Sequence, residues 1–292
     1  MSLYDEIKSH FNLPTAYEDW TKYRQYMTNY VITHANQVSL PLSFCANMDS
    51  NSLLPSLAII GAGSCNDLDL NTLLPHFSKI TLIDYNEDAF ETIISNYQTI
   101  ECLALSLNGL TDSHYREFCD ELQYYIQCNS GNFTPEEFEN YAITKVLEYL
   151  NPLTDYAIPL KENSYDYICC FGVHSQLQAM FSYIYHVFEV NLKEMYFHNK
   201  PSFSKRFSQH LRDANNAFIP RFHEALLSCA KNAVFLGLEH KRTTSDKVIE
   251  GAYQAFEDIQ KRNLQIEEDT VLWPFLPQSN IVYEMKILAI TV

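Results

Sequence analysis

The sequence has little glycine and little positive charge, and it has no long apolar run. Glycine occurs seven times in 292 residues, so a place where two glycines fall together is informative. Lysine and arginine number 20 against 36 aspartates and glutamates, and the resulting net charge of −16 argues against nucleic acid as a partner, because phosphates attract basic surfaces. No apolar stretch reaches the roughly 18 residues of a membrane-spanning helix, so we expect no membrane partner.

The cysteines form no recognisable metal or redox motif. Eight are present, but none lies in a CxxC motif or at zinc spacing with a histidine, so we expect no metal site. Several lie in apolar runs such as YDYICCF, which ends at Phe171. We therefore expect buried free thiols in a reducing cytoplasm. The start, MSLYDEIKSH, lacks the basic-then-apolar pattern of a signal peptide, which also favours a cytoplasmic location.

Apolar runs and helical spacing alternate between residues 57 and 107. Short apolar runs typical of buried strands lie at 57–60, 80–84 and 100–107, with helical patterns between them. Strands that alternate with helices form a parallel sheet with right-handed crossovers. This region therefore predicts the start of a doubly wound α/β domain.

The rest of the chain continues the pattern with a longer crossover. Residues 111–150 predict a helical insertion, which is followed by a strand at 165–171 and by helices to about residue 232, interrupted near Pro220. A fifth strand is expected at 233–238. The final runs, at 270–273 and 281–292, predict an antiparallel hairpin at a sheet edge.

The first 50 residues are rich in aromatic side chains at helical spacing. Two interpretations remain open: an amphipathic helical pair packed on the core, or an aromatic cap over a ligand, and both can hold together. We assign residues 1–50 to a helical N-terminal cap and residues 51–292 to the α/β domain. The aromatic residues concerned are Tyr4, Phe11, Tyr17, Trp20, Tyr23, Tyr26 and Tyr30.

A glycine turn and an acidic residue mark a candidate ligand site. Gly61 and Gly63 directly follow the first predicted strand, where glycine allows a tight turn and close approach of a ligand. Asp84 ends the second strand, 23 residues after Gly61. In doubly wound folds such an acid accepts hydrogen bonds from ribose hydroxyls. The alternatives are a turn that is merely tight and an acid that only forms a turn.

The residues after the turn disfavour a dinucleotide. The position of the third fingerprint glycine is Asn66, and the carboxylates of Asp67 and Asp69 would repel a pyrophosphate. An uncharged or cationic ligand fits better. S-adenosylmethionine has no phosphate and carries a sulfonium and an amino group. Asp67 would bind that amino group or would only cap the next helix.

Three stretches resemble motifs of the class I S-adenosylmethionine-dependent methyltransferases. Residues 57–67 (LAIIGAGSCND) resemble the first motif, residues 80–84 (ITLID) the second, and residues 166–171 the fourth strand. The resemblance covers roughly residues 50–292. It implies a Rossmann-like seven-stranded sheet, mostly parallel, with an antiparallel C-terminal hairpin. It also implies methyl transfer from S-adenosylmethionine, with S-adenosylhomocysteine as the product.

The resemblance also implies roles for individual residues. The turn would pass under the methionine part of the cofactor, Asp84 would hold the ribose, and Tyr85 would lie against the adenine. The adenine amine is often held by an acid after the third strand. Here Ser106 takes that place, and Asn108 is the alternative. The expected cofactor-binding residues are Gly61, Ala62, Gly63, Asp67, Asp84, Tyr85, Ser106, Asn108 and Phe171.

His174 is the candidate general base. It follows the fourth predicted strand, and the alternative is a polar residue that only ends this strand. Glu239 and His240 follow the fifth strand, and we interpret them as a solvated loop, the alternative being that they face a ligand. Lys241 and Arg242 are expected in a solvated turn.

Three functions remain open at this stage. The first is methyl transfer to a small molecule, with a protein side chain as the second choice of acceptor. The second is an NAD-linked oxidoreductase, because a GxG turn and an acid after the second strand occur in both classes. The third is a non-catalytic nucleoside-binding protein of methyltransferase fold. The sequence leaves the acceptor and the oligomeric state undetermined.

Overall fold

The computed structural model describes residues 2–10, 13–38, 54–129, 132–197, 204–245 and 247–292. It divides into two compact units. The sheet unit comprises residues 14–107, 159–174 and 219–292, and the helical unit comprises residues 1–13, 108–158 and 175–218. Residues 39–53 lie outside the described part, so the predicted domain boundary at residue 50 stays a prediction.

The sheet unit contains a seven-stranded sheet of order β3-β2-β1-β4-β5-β7-β6. The first five strands are parallel, and β7 runs antiparallel to both β5 and β6. The predicted mostly parallel sheet with an antiparallel C-terminal hairpin is therefore confirmed. The strands are β1 Ser56–Ile60, β2 Lys79–Asp84, β3 Ile100–Ala104, β4 Tyr165–Phe171, β5 Ala230–Arg242, β6 Gln265–Leu276 and β7 Ile281–Thr291.

The strand order reverses beside β1. From β1 the chain moves outward to β2 and β3 and then returns to place β4 on the other side of β1. Residues 57–60 of β1 are at most 5% exposed, as expected for a strand covered on both faces. Ile60, the last residue of β1, pairs with Ile83 on one side and Cys170 on the other. Ligands of open α/β sheets bind at such a switch point, beyond the carboxyl ends of the strands.

Ten α-helices are assigned within the described residues. Four 3₁₀ turns accompany them, at Leu74–His76, Glu87–Phe90, Asn151–Leu153 and Pro277–Ser279. The helices are α1 Leu3–Ser9, α2 Ala16–Asp19, α3 Thr21–Val38, α4 Leu70–Leu73, α5 Glu91–Asn96, α6 Asp112–Asn129, α7 Pro135–Leu150, α8 Ala179–Met195, α9 Arg206–Cys229 and α10 Ala252–Lys261.

The predicted interruption near Pro220 is wrong, because α9 continues through this proline. A proline inside a helix costs about 3 kcal/mol through a lost hydrogen bond and a steric clash. Ile219, Phe222 and Leu226 are fully buried around it. Burying such side chains contributes about 1.5–3 kcal/mol each, which offsets the cost of the proline.

The N-terminal segment forms three helices rather than the expected pair. Helix α1 belongs to the helical unit, where the Tyr4 hydroxyl donates to Asp112 at 2.8 Å. Helices α2 and α3 belong to the sheet unit, where Tyr23 of α3 stacks on Trp273 with ring centroids 5.8 Å apart. The aromatic spacing of α3 is therefore explained by packing on the C-terminal strands. Whether the segment also acts as a cap stays a prediction.

The helical unit has an aromatic core of its own. Phe118 of α6 lies edge-on to Phe181 of α8 with centroids 5.1 Å apart, and Tyr185 stacks on Phe207 at 4.1 Å. Such ring pairs add about 0.5–1.5 kcal/mol beyond the area that they bury. Thr134 begins α7 with a reciprocal capping box to Glu137. The predicted helical insertion at 111–150 thus forms two helices, α6 and α7.

Most of the described cysteines fit the expectation of buried thiols. Cys65, Cys119, Cys169, Cys170 and Cys229 are free and buried, whereas Cys102 is half-buried and Cys128 is exposed. Cys45 lies outside the described residues. Among the residues that the structure describes, no helix is long and apolar enough to cross a membrane.

Candidate functional site

The chain leaves β1 through a tight left-handed turn. Gly61 and Gly63 have φ angles of +67° and +48°, a region that glycine enters without steric cost. A Cβ on Gly61 would lie 2.3 Å from a methyl carbon of Val173, which only a missing side chain allows. A Cβ on Gly63 would meet nothing within 4 Å. Gly61 is therefore required by packing, whereas Gly63 borders open space.

Asp84 holds this turn in place. Its Oδ2 accepts a hydrogen bond from the Gly63 N–H at 2.8 Å, and its Oδ1 accepts one from the Asn86 N–H at 2.9 Å. Burial raises the pKa of Asp84, and the hydrogen bonds from these backbone groups partly oppose that rise. A carboxylate offers about four acceptor positions, so Asp84 keeps capacity for a further donor such as a hydroxyl. The sequence predicted the acid but not its bond to the turn.

A small pocket lies at the turn, lined by residues from the carboxyl ends of β1 and β4. Four of the expected cofactor-binding residues line it, namely Gly61, Ala62, Asp67 and Phe171. The position is the switch point of the sheet, where a ligand is expected. The other lining residues are Ile59, Ile60, Cys65 and Leu68.

One end of the pocket carries buried charge. Burial raises the pKa of Asp67 to about 7; a hydrogen bond from Tyr23 and the charge of Arg24 oppose this rise, and the Glu239 carboxylate adds to it. Glu239, near the end of β5, is 3% exposed. The interpretation of Glu239 as part of a solvated loop is therefore wrong, because β5 extends to Arg242 and pairs with β7 along this stretch.

The side chains around this charge come from α3. Burial raises the pKa of the Tyr23 hydroxyl, and the neighbouring Asp67 carboxylate raises it further by its charge and by a hydrogen bond with this hydroxyl. Arg24 is 5% exposed, donates to the Asn66 carbonyl at 3.3 Å and covers the ring of Tyr17 at 3.7 Å. The sequence analysis named Tyr23 only as part of a possible aromatic cap and missed Arg24, which lies 37 residues before Gly61.

Five of the nine expected cofactor-binding residues do not line this pocket, namely Gly63, Asp84, Tyr85, Ser106 and Asn108. Neither Tyr85 nor Ser106 lines it, and Tyr85 is 40% exposed directly after Asp84. Asn108 belongs to the helical unit, where its amide donates to the Leu177 carbonyl at 2.6 Å and accepts from the Leu110 N–H at 3.0 Å. The roles of Tyr85, Ser106 and Asn108 toward adenine stay predictions.

His174 stands at the end of a buried chain of polar groups. Its Nε2 lies 3.0 Å from Nε2 of His223, whose Nδ1 lies 2.7 Å from Asp258. Arg262 donates to the same Asp258 oxygen at 2.8 Å. Burial lowers the pKa of both His174 and His223, while the bonds to His223 and Arg262 hold the pKa of Asp258 below its usual range.

The hydrogen-bonded series of His174, His223 and Asp258 fixes the tautomers of the two imidazole rings. Ionised Asp258 only accepts, so the proton of neutral His223 lies on Nδ1 and its Nε2 accepts from Nε2–H of His174. Neutral His174 then carries its lone pair on Nδ1, the atom that would take a proton. The sequence singled out His174 but could not find its partners, which lie on α9 and α10.

The residues that follow Glu239 also differ from expectation. The His240 ring lies 6.1 Å from the ring of Tyr253, centroid to centroid, instead of in a free loop. Lys241 and Arg242 were expected in a solvated turn, but both belong to β5, and Lys241 forms an ion pair with Glu284 at 3.4 Å. The pairing with β7 extends the strand beyond its apolar core.

Comparison with known proteins finds only remote likeness. No model of a protein family and no curated protein matches the chain. Among solved structures, the magnesium protoporphyrin IX methyltransferase ChlM of Synechocystis, with bound SAH, is 10% identical with a TM-score of 0.38 and covers 99% of each chain. The 1,6-didemethyltoxoflavin-N1-methyltransferase of Burkholderia thailandensis is 9% identical with a TM-score of 0.38. The match covers 100% of this chain and 92% of the chain of that enzyme.

A human methyltransferase 10 domain containing protein is similar at the same level, with 11% identity, a TM-score of 0.38 and coverage of 90% of this chain and 81% of that one. Likeness this remote transfers no chemistry from those proteins to this chain.

Proposed function

We propose that this protein is an S-adenosylmethionine-dependent methyltransferase. One observation carries the proposal. At the switch point of the sheet, the Asp84 carboxylate accepts a hydrogen bond from the Gly63 N–H at 2.8 Å, next to a pocket at the ends of β1 and β4. An acid that ends β2 beside a glycine turn suits a ribose, and the open space at Gly63 lets a ligand approach the backbone. These features fit an adenosyl ligand.

The charge of the pocket favours this cofactor over a dinucleotide. Asp67 lines the pocket, and the charge of Glu239 contributes to the raised pKa of Asp67. Two carboxylates would repel a pyrophosphate but attract the ammonium and sulfonium groups of S-adenosylmethionine. Asp67 would hold the ammonium, and the backbone around Gly61 and Gly63 would lie along the methionine part.

The bound cofactor supplies a methyl group on a sulfonium, which an acceptor nucleophile displaces in line while the bonding electron pair returns to sulfur. The protein needs mainly to position the two partners, which can be worth about 7–11 kcal/mol. An acceptor that loses a proton on reacting needs a base. His174 would take that proton at Nδ1, while His223 and Asp258 hold its ring.

We place the acceptor among small molecules. The net charge of −16 disfavours nucleic acid as the acceptor, because phosphates attract basic surfaces. The test of this choice is the formation of S-adenosylhomocysteine in the presence of a panel of small-molecule amines, phenols and carboxylates. A panel without turnover, beside turnover on a peptide library, would move the acceptor to a protein side chain.

The cofactor is tested by calorimetric titration of the intact protein with S-adenosylhomocysteine and with NAD. We expect S-adenosylhomocysteine to bind at least about tenfold more tightly, a difference of about 1.4 kcal/mol. Tighter binding of NAD would overturn the proposed methyltransferase function and favour an NAD-linked oxidoreductase. Binding of neither ligand would show that the turn does not recognise an adenosyl group.

A further inference from the structure

The last three strands of the sheet extend past the carboxyl end of β4. Gly237 of β5 pairs with Phe171, the last residue of β4 and a lining residue of the pocket, and β5 then continues to Arg242. These five further residues span about 16 Å at about 3.3 Å per residue. Since β7 pairs with both β5 and β6 along this extension, the three strands form a wall beyond the ligand-binding edge of the sheet.

One cross-strand row of this wall carries Arg242, Tyr283 and Trp273. Arg242 of β5 pairs with Tyr283 of β7, and Tyr283 pairs in turn with Trp273 of β6. Residues directly opposite one another in antiparallel strands share a face of the sheet, so these three side chains lie on one face. The ring of Trp273 lies 5.9 Å from that of Tyr283, and Phe275 lies 4.9 Å and 5.7 Å from these two rings. The row therefore sets a cation beside an aromatic cluster.

Two N–H donors of this row have no hydrogen-bond acceptor. Nε of Arg242 and Nε1 of Trp273 are buried, and neither makes a hydrogen bond within the part of the chain that the structure describes. Trp273 is 3% exposed, whereas Arg242 is half-buried. Buried donors in folded proteins are paired in the great majority of cases. Two unbonded donors in one row therefore point to a ligand that brings hydrogen-bond acceptor atoms.

The charge of Arg242 narrows the chemistry of that ligand. Although the chain has 36 acidic against 20 basic residues, Arg242 forms no ion pair among the described residues, and its Nη2 donates only to the Asn280 carbonyl at 3.4 Å. The preceding Lys241, on the opposite face of β5, forms an ion pair with Glu284 at 3.4 Å. A guanidinium takes a carboxylate through two parallel N–H bonds, so a ligand carboxylate is the group that fits Arg242.

We propose that Arg242 and Trp273 form a subsite for the methyl acceptor that binds an aromatic carboxylic acid. Its carboxylate lies on Arg242, a further oxygen accepts from the indole N–H of Trp273, and its ring packs on Tyr283 and Phe275. Both of these rings are half-buried, so each keeps surface that a ligand ring can cover. The inference rests on the proposed function and narrows its acceptor from small molecules in general to this class. The reacting atom then lies toward the cofactor, at the end of the acceptor remote from the carboxylate.

The test compares aromatic acids with their uncharged amides. The probes are indole-3-acetate, 3-(4-hydroxyphenyl)propionate and 4′-hydroxybiphenyl-4-carboxylate, each beside its primary amide, which keeps the shape and removes the charge. Each is titrated calorimetrically into the intact protein, with and without S-adenosylhomocysteine. We expect at least one acid to bind about tenfold or more tightly than its amide, because only the acid forms charge-assisted hydrogen bonds with Arg242. If no acid binds more tightly than its amide, the inference is overturned.

Variants of β5 separate the subsite from the general charge of the protein. We expect Arg242→Gln to abolish the preference for the acid, and Arg242→Lys, which keeps the charge without the planar fork, to retain part of it. S-adenosylhomocysteine should bind Arg242→Gln within about twofold of the wild-type protein. The control is Lys241→Gln, which removes a positive charge from the opposite face of the strand and should keep the full preference. An equal loss of preference in Lys241→Gln would overturn the subsite.

Trp273 provides a second measurement, on the wild-type protein. The chain has two tryptophans, so its NMR spectrum contains two indole N–H resonances, which the variant Trp20→Phe assigns. Trp20 already donates to the Phe275 carbonyl at 3.2 Å. We expect the preferred acid to move the Trp273 resonance downfield, as a new hydrogen bond does, and to move the Trp20 resonance less. A Trp273 resonance that stays in place when the acid binds would overturn the subsite, and this result does not require Arg242→Gln to fold.

The outcomes also separate this inference from the proposed function. If S-adenosylhomocysteine binds but no acid binds more tightly than its amide, the methyltransferase proposal stands and the acid subsite is overturned. If S-adenosylhomocysteine does not bind while the preference for an acid depends on Arg242, the proposed function fails. The row then binds an aromatic acid, but that acid is not a methyl acceptor.

Discussion

Single side chains decide whether the turn after β1 can hold a ligand. Asp84 bonds to two backbone N–H groups, of Gly63 and Asn86, at opposite ends of its carboxylate. It therefore links the end of β2 to the turn after β1 before any ligand binds. The same carboxylate is the expected partner of ribose, so Asp84 would both hold the turn and bind the ligand.

We expect Asp84→Ala to lose more than about tenfold in affinity for S-adenosylhomocysteine, because a hydrogen bond to a charged acceptor is worth about 1.5–3 kcal/mol. The melting temperature should also fall, since the Gly63 and Asn86 N–H groups lose their acceptor. Calorimetric titration and thermal unfolding measure both effects. Asp155→Ala, at an exposed position, is the control. If Asp84→Ala binds S-adenosylhomocysteine as tightly as Asp155→Ala does, Asp84 is not a binding residue.

The two glycines of the turn should respond differently to the same substitution. Gly61→Ala places a methyl group 2.3 Å from Val173 and should destabilise the fold itself. Gly63→Ala meets no neighbour within 4 Å and costs only the strain of its positive φ, about 1–2 kcal/mol. We expect a folded Gly63→Ala protein that has lost S-adenosylhomocysteine binding. Full binding by this variant would show that the ligand does not approach the turn.

At the scale of elements, a buried histidine pair links β4, α9 and α10. His174 follows β4, His223 lies on α9, and Asp258 on α10 completes the chain. Both imidazoles are at most 1% exposed, so neither can gain a proton without cost. The same contacts that orient His174 therefore make the packing of these elements sensitive to acid.

We expect the free energy of unfolding to fall as the pH drops below about 6.5, the ordinary pKa of histidine. Burial lowers the pKa of His174 and His223 in the folded state, so the unfolded chain takes up protons first. Their contribution is present above that pH and is lost as the pH falls.

Urea unfolding at about pH 7.5 and pH 5.5 measures this dependence. Asp67 acts in the opposite direction, since its pKa is raised, so the comparison with His174→Gln isolates the histidine contribution. The exposed His186 provides the control variant His186→Gln. Equal pH dependence of His174→Gln and the wild-type protein would contradict the prediction.

The whole molecule carries a large negative charge. The excess of 36 acidic over 20 basic residues gives −16, and like charges repel one another most in the compact state. The same balance leaves the protein poorly suited to polyanions.

We expect the melting temperature to rise when NaCl increases from about 10 mM to about 200 mM, because the Debye length falls from about 30 Å to below 10 Å. Thermal unfolding in chloride salts of different cations, at constant ionic strength, separates screening from specific binding. A melting temperature that falls with salt would show that attractive ion pairs outweigh the repulsion.

The sequence by itself determined the local parts of this protein. The apolar run of β1, the two glycines and Asp84 lie within 28 residues, and each is dictated by near neighbours or by strand periodicity. The alternation of strands and helices required a parallel sheet, which the structure contains. The ends of β5 and β6 were misjudged because pairing with β7, and not apolar pattern, carries them past their hydrophobic residues.

Only the tertiary structure decided which distant side chains meet. His174 and His223 are 49 residues apart, Asp258 lies 35 residues beyond, and Glu239 of the fifth strand acts on the pKa of Asp67. The sequence pointed to His174 by its place after a strand, but no period or motif connects it with His223, Asp258 or Glu239. They come together because the strand order places β4 beside β1 and β5 beside β4, which brings polar residues from distant segments to one side of the sheet.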